Sequence, residues 1–523
     1  MLIPLTPLRC LIRAVDVFGS RVGIISGARR FTYAEFGERV GRLATALVRL
    51  GIRPGDRVGY LSFNNHQLLE GYYGAPQARA IVMPLNVRLA PEELAAILRH
   101  SGARVLFYEP DFAPILEHLR GACPAVEHWI GLDDNYEELL RQGSPERADI
   151  LSYDENSIAE LFYTSGSTGT PKGVALSHRT LYLHALAVAI CYREPATVAE
   201  LHTIPLFHAN GWGRPQVSTM LGTKQIMVRR FEPQAVLSLI QEHRATDMSL
   251  VPTMAQALIN CPGRAAFDTS SLRRVMIGGA AASPELVGRF EEAFPSAECL
   301  AGYGLTETSP VVTTSIWNGR PYASEQDRLR RQAMAGWPIP GTEVRVVDAE
   351  MRDVPRDGAT IGEVVVRGDQ VMDGYFHDPE ATRAALSEGQ WFHTGDMGVW
   401  DDQAYIAIVD RKKEIIISGG ENISSIEVER AIAAHPAVLE CAVVSAPDEK
   451  WGEVPAAIVT RKPEMTLTAE ELSQFLAGRL SRYKQPRIIE IHDQPLPKTG
   501  TGKIRKLQLR EKYWAGKQKR VQG

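Results

Sequence analysis

Between Tyr163 and Gly173 the chain reads Tyr-Thr-Ser-Gly-Ser-Thr-Gly-Thr-Pro-Lys-Gly. Glycines let a backbone approach a ligand closely and turn several N–H groups toward one anion. Ser165, Ser167, Thr168 and Thr170 add hydroxyl donors and Lys172 adds a positive charge, a set suited to a polyphosphate. The spacing is not that of the common phosphate loop, GxxxxGK[ST] opening a helix, because the lysine here follows Thr170-Pro171. Such compositions usually serve as linkers. The strand-like residues Ile158 to Tyr163 before it and the Pro-Lys-Gly turn after it argue against that. Further groups lie along the chain. Leu201 to Trp212 is a strand-like run ending in His208, Gly211 and Trp212, an apolar and polar mixture suited to a pocket wall. Read alone, His208 is a hydrogen-bonded structural histidine and Trp212 plain core. Gly278-Gly279-Ala280 forms a bare turn against which a flat ring could lie, or one that allows tight strand–helix packing. Asp396, after Thr394-Gly395, could accept two ribose hydroxyls or simply stabilise a tight turn.

These groups need elements to hold them. Arg30 to Gly51 has an amphipathic helical pattern, with Leu43, Ala46, Leu47 and Leu50 at helical spacing and Gly51 as a C-terminal cap. Pro54-Gly55-Asp56 turns into a strand at Arg57–Leu61; a helix over 67–79, a strand over 81–86 and a helix over 91–100 come next. Strands alternating with helices argue for a parallel α/β sheet. After the glycine-rich loop, Leu181 to Ile190 is an apolar helix, and Arg274 to Ile277 is a strand leading into the small-residue turn. Ser315 to Trp337 is polar and aperiodic, a surface excursion with one short helix. Residues 341–348 and 362–368 alternate with period two and predict a small β subdomain. From Ile426 onward the pattern is helix, strand, loop, strand, a small α+β domain. The basic tail after Glu511 is expected to fray.

At 523 residues the chain should divide into at least two domains. A net charge of −4 gives no reason to expect nucleic acid as a partner. The six cysteines are scattered without CxxC or metal-ligand spacing, so they read as reduced and intracellular. The start shows no signal-peptide pattern and no apolar run reaches membrane-spanning length, which predicts a cytoplasmic protein without an integral membrane segment.

Taken together and in this order, YTSGSTGTPKG, PLFHANGW, GGAA, AGYGLTET, WFHTGD, DRKKEIIISGGEN and PLPKTGTGKIRK resemble the motifs of the adenylate-forming superfamily: acyl- and aryl-CoA synthetases, adenylation domains and luciferases. The resemblance spans nearly the whole chain. It implies a large N-terminal α/β domain of stacked sheets with a small β subdomain (1–410), and a small mobile α+β C-terminal domain (411–523). It implies an ATP-dependent acyl-CoA ligase with Mg²⁺, ATP and coenzyme A. The nucleotide would be held by Thr164, Ser165, Gly166, Ser167, Thr168, Gly169 and Lys172, by Gly279 and Ala280, and by Gly302, Tyr303 (against adenine), Gly304 and Thr306 (at the α-phosphate). Asp396 would take the ribose and Arg411 the ribose or phosphate. Glu307, with Thr164, would face the metal; magnesium needs only one or two carboxylates beside phosphate oxygens and water. His208, Gly211, Trp212 and Gly278 would line the acyl site, Trp212 gating a tunnel for a hydrocarbon tail, which favours an aliphatic acid. Lys413 would be the pivot, Gly419-Gly420 would approach coenzyme A, and Lys503 would bridge the carboxylate and the α-phosphate. An aryl or short-chain substituted acid, a carrier protein as acceptor, an oxygenase of luciferase type and an inactive nucleotide-binding relative are the alternatives. A homodimer is plausible by the same resemblance.

Overall fold

The computed structural model describes residues 2–164, 171–192, 198–419, 421–498 and 504–515. Contacts divide the chain into two units, residues 1–344 with 366–392 and residues 345–365 with 393–523. The strands of the first unit, in chain order, are β1 (Val22–Ser26), β2 (Arg29–Thr32), β3 (Arg57–Leu61), β4 (Ile81–Pro84), β5 (Val105–Tyr108), β6 (His128–Gly131), β7 (Ile158–Thr164), β8 (Lys172–Ser177), β9 (Ala199–His202), β10 (Lys224–Met227), β11 (Asp247–Leu250), β12 (Arg274–Ile277), β13 (Glu298–Gly304), β14 (Val311–Thr314) and β15 (Trp337–Pro338). Nine of them form one sheet in the order β15-β14-β13-β12-β11-β9-β10-β1-β2. The others join the Gly374–Tyr375 strand in a second sheet, where it is succeeded by β8-β7-β4-β3-β5-β6. Pairing is parallel from β13 to β1 and from β7 to β6, with antiparallel strands at the margins. This is the α/β architecture the alternation predicts.

The two faces of the nine-stranded sheet differ in chemistry. In β11 and β12 side chains alternate faces. Met248, Leu250, Val275 and Ile277 join Leu201 and Ile226 in one apolar cluster with the helices Pro233–His243, Pro252–Ile259 and Pro284–Ala293. Their alternates form a polar row, because Arg274, Asp247, Glu200 and Gln225 stand in register across β12, β11, β9 and β10.

The amphipathic helix begins later than its pattern suggests. Arg29–Thr32 is β2, and the helix spans Tyr33–Arg49. Thr32 ends the strand by capping: its Oγ1 accepts from the Glu35 N–H (3.2 Å) while the Glu35 carboxylate accepts from the Thr32 N–H (2.7 Å). Leu43, Ala46 and Leu47 are buried, as their spacing requires. The predicted short helix of the polar excursion is Glu325–Gln332.

The second unit is α+β. One of its sheets runs Glu421–Ile423, Ile416–Ser418, Gly452–Arg461, Val438–Asp448, with Ile488–His492 alongside Gly452–Arg461, and much of a second is formed by Thr342–Val347, Gly362–Gly368, Trp391–Trp400 and Ile406–Arg411. The helices Ser425–Ala433 and Ala469–Ala477 bury Val428, Ile432, Leu472 and Leu476 on the first of these sheets. The last helix, Lys506–Trp514, runs three residues past Glu511, and residues 516–523 of the tail expected to fray lie outside the described residues. Tyr513 Oη donates to Glu490 (2.6 Å) and Trp514 Nε1 to the Ser445 carbonyl (2.9 Å), tying its end down. Among the described residues no helix is long and apolar enough to cross a membrane.

Candidate active site

In an open α/β sheet, ligands bind outside the carboxyl ends of the strands. Three of the sequence groups lie there, on the nine-stranded sheet. The chain leaves β9 toward His208, β12 runs into Gly278-Gly279-Ala280, and β13 carries Gly302-Tyr303-Gly304 into Thr306-Glu307. Gly279 and Ala280 are exposed, so the edge they form is bare. Thr306 is buried in the short turn Thr306–Thr308, and Tyr303 is half-buried opposite Thr313. At Gly304 a Cβ would lie 1.7 Å from the Pro310 carbonyl oxygen, so no side chain fits.

His208 is half-buried and opens an unusual turn, its carbonyl accepting from the Gly211 N–H at 3.1 Å. Ala209, Asn210, Gly211, Trp212 and Gly213 all have positive φ, 45°, 53°, 50°, 61° and 74°. The left-handed conformation costs a non-glycine residue about 1–2 kcal/mol, and it persists only where surrounding packing over-determines it. Two contacts do so here. The Trp212 ring lies on the backbone of Gly278, where a Cβ would come within 3.0 Å of its Cη2. Immediately after the turn, Arg214 Nε and Nη2 grip Glu200 at 2.6 and 2.5 Å, both side chains buried. Burial opposes the Glu200 charge, but Arg214 outweighs it and keeps the carboxyl below its ordinary range.

The glycine-rich loop connects β7 to β8, and Thr164 and Lys172 are register partners where the hairpin opens. Residues 165–169 themselves (Ser165, Gly166, Ser167, Thr168, Gly169) lie outside the described residues. Lys172 Nζ sits 4.6 Å from the centroid of the Tyr375 ring. The Tyr375 hydroxyl donates to Glu307 Oε1 at 3.0 Å, and the Met372 N–H donates to the Glu307 carbonyl at 2.8 Å. Burial first, and then the Glu307 carboxylate, raise the Tyr375 phenol above its ordinary range, so it stays a donor. Sequence reading missed Tyr375; its one signal was an aromatic beside a glycine in Asp373-Gly374-Tyr375.

Asp396 and Arg411 belong to the second unit. Thr394-Gly395-Asp396 is not a tight turn: it lies inside the ten-residue strand Trp391–Trp400, whose alternating burial overrides the turn signal, though Gly395 keeps φ at 69°. Asp396 pairs in register with Arg411, whose Nε approaches its Oδ1 at 2.8 Å. The Lys413 carbonyl accepts from Arg510 at 3.2 Å. Gly419 has φ of 60° and donates to the Trp451 carbonyl at 2.8 Å, with that indole packed where a Cβ would point. Gly420 and Lys503 lie outside the described residues.

Residues 11–376 match the AMP-binding enzyme family, and residues 427–503 match the AMP-binding enzyme C-terminal domain. The chain belongs to the adenylate-forming superfamily. It is 38% identical over 518 residues to the long-chain-fatty-acid–CoA ligase of Thermus thermophilus, covering 96% of this chain and 94% of that one. It is 35% identical over 537 residues to a 2-methylpropanoate–CoA ligase of Humulus lupulus, covering 97% of this chain and 95% of the relative. The crystal structure of ATP-bound MatB from Rhodopseudomonas palustris superposes with a TM-score of 0.88 at 27% identity, covering 98% of this chain and 99% of the other. The protein is an AMP-forming acyl-CoA ligase, with ATP, coenzyme A and a carboxylic acid as its substrates.

Proposed function

We propose that the acid is aliphatic, that it is activated as an acyl-adenylate at the carboxyl edge of the nine-stranded sheet, and that coenzyme A then takes the acyl group. The observation that carries this reading is the line Lys172–Tyr375–Glu307, a cation and an oriented carboxylate joined through one phenol. The relatives named above act on a long-chain fatty acid and on 2-methylpropanoate, so they share the ligase chemistry and differ in the acid.

The difficulty in the first half-reaction is electrostatic, since a carboxylate must approach a polyanion. Lys172 and the glycine-rich loop (Ser165, Gly166, Ser167, Thr168, Gly169) would hold the phosphates, Tyr303 with Gly279, Ala280 and Gly302 the adenine, Thr306 the α-phosphate, and Asp396 with Arg411 the ribose. Lys503 would neutralise charge between the two reacting groups. Magnesium fits these residues. Among the described residues no three His, Cys, Asp or Glu converge, but one carboxylate plus phosphate oxygens and water satisfies this ion. Glu307, with Thr164, would hold it, and it would supply charge neutralisation on the phosphates. His208, Gly211, Trp212 and Gly278 would bound the acyl group, and the strained turn at Trp212 suits a ring that must give way. In the second half-reaction, a C-terminal domain beginning at Arg411 would rotate about Lys413. Gly419-Gly420 would then replace Lys503, and the coenzyme A sulfur would displace AMP from the carbonyl. The scattered, unpaired cysteines support a reducing, cytoplasmic setting.

Lys503→Ala tests the assignment. It should abolish most acid-dependent ATP–pyrophosphate exchange yet largely spare thioester formation from supplied acyl-AMP and coenzyme A. Equal loss in both half-reactions would overturn the division of labour.

A further inference from the structure

The face of the sheet beneath Trp212 shows how far an acyl tail could reach. Along β12, Gly278, Met276 and Arg274 share one face, each about 7 Å deeper than the last. Trp212 covers the first level, at Gly278. At the second level, Met276 is buried, with its sulfur against Gly302 (2.9 Å from where a Cβ would stand) and accepting from the Tyr192 hydroxyl at 3.4 Å. The third level is the polar row, Arg274 facing Asp247 at 3.7 Å and Glu200 held by Arg214 and by Ser218 Oγ at 2.7 Å.

Tyr192, at the end of the helix His178–Tyr192, connects the last two levels. The Arg214 and Arg274 guanidiniums each lie 5.0 Å from its ring centroid. Arg214 is gripped by the buried Glu200 and cannot move aside without leaving that charge uncompensated, and Arg274 lies 3.7 Å from the buried Asp247. A ring held between two guanidiniums, one of them locked on Glu200, and with its hydroxyl on Met276, makes a floor. On the β12 face the next level down is the charged row, where a hydrocarbon tail gains nothing by entering.

We infer that Tyr192 and Met276 close the acyl site one level below Trp212, so that this ligase selects short aliphatic acids of the propionate-to-hexanoate class. The inference rests on the ligase reading with the acid at Trp212. The space that an indole vacates on Gly278 suits a tail of a few carbons, and the next carbons would meet the methionine sulfur and the tyrosine edge.

The test is AMP release by the full-length protein with Mg·ATP and coenzyme A across acetate, butyrate, hexanoate, octanoate and laurate. Each methylene with room to be buried should raise kcat/KM about fourfold, so the wild-type profile should climb from acetate and fall beyond hexanoate. Met276→Ala removes volume at the floor without touching the arginine clamp and should move the optimum toward octanoate. Met276→Leu should leave it in place. Tyr192→Ala should extend it further, and the ratio of octanoate to butyrate activity reads this even if the variant is less stable. A wild-type optimum at laurate, or an unchanged profile in Met276→Ala, would overturn the floor while leaving the ligase reading intact. AMP release with none of the acids would instead overturn the reading on which the floor rests.

Discussion

Tyr375→Phe deletes a single oxygen and leaves the ring under Lys172 in place, so it isolates the hydrogen bond to Glu307. Hydrogen bonds to charged groups contribute about 1.5–3 kcal/mol net. Tyr375 is only half-buried, which argues for the lower end, and about 1.4 kcal/mol corresponds to a tenfold change in rate. The packing term is close to zero, because phenylalanine fills the same space. If the hydroxyl holds Glu307 in the orientation that the metal–nucleotide complex needs, the loss falls on adenylation alone. Acid-dependent ATP–pyrophosphate exchange should then drop about tenfold in kcat/KM and require more Mg²⁺ to saturate. Thioester formation from supplied acyl-AMP should be unchanged. The phenol is held protonated by burial and by the Glu307 charge, so the ratio of wild-type to variant rates should stay flat from neutral to moderately alkaline pH. Tyr375→Ala also removes the ring beneath Lys172, and an exposed cation–π contact of about 0.5–1 kcal/mol adds a further two- to fivefold loss. A Tyr375→Phe enzyme with wild-type exchange and unchanged Mg²⁺ dependence would refute the positioning role. So would equal losses in both half-reactions.

Two further outcomes concern buried charge. Glu160 on β7 is fully buried, with Gln216 Nε2 donating to its Oε1 at 2.7 Å, and burial pushes its carboxyl well above the ordinary 4.5. A raised acid contributes stability that is full below its unfolded pKa and is lost as pH climbs toward the folded one. Glu160→Gln lacks that titration, so its melting temperature relative to wild type should rise between acidic and mildly alkaline pH; a difference independent of pH would show that Glu160 is ionised in the fold. In the second unit, burial works against the Lys506 charge, but Glu429, Glu414 and Asp410 outweigh it and hold the amine above its ordinary range. Lys506 Nζ lies 2.8 Å from Glu429, the two side chains 15% and 19% exposed. Lys506→Met leaves that carboxylate with the Val443 N–H but without a cation and should destabilise the unit by about 3 kcal/mol in chemical denaturation, and a change under about 1 kcal/mol would mean that water already solvates the cluster.

How much of the fold is legible in the sequence depends on the range of the interactions involved. Strands and helices written as local periodicity came through: β3, β4, β12 and the helix Pro91–Ser101 lie close to where their patterns place them. The misplaced start of the helix after β2 was recoverable, since Thr32-Tyr33-Ala34-Glu35 is a capping box in plain sequence. At Thr394-Gly395-Asp396 two local signals competed, and the period-two alternation from Trp391 to Trp400 defeats the glycine turn because every second side chain has a core to enter.

Other features have no local window. Tyr375 and Glu307 are separated by 68 residues, and neither neighbourhood mentions the other. The left-handed turn at Ala209–Gly213 places three non-glycine residues at positive φ, which no propensity favours; it exists because Arg214 anchors its end and Gly278 receives the Trp212 ring. The polar row is the sharpest case. Alternation such as Arg274-Val275-Met276-Ile277 reads as a strand with one wet face, yet the helix Arg214–Leu221 brings Arg214 and Ser218 to the row as partners of Glu200. Burying ions where water would do is costly unless each is paired. This row meets the cost by pairing: Glu200 is held by Arg214 and Ser218, and Arg274 faces Asp247, with the Tyr192 ring between the two guanidiniums.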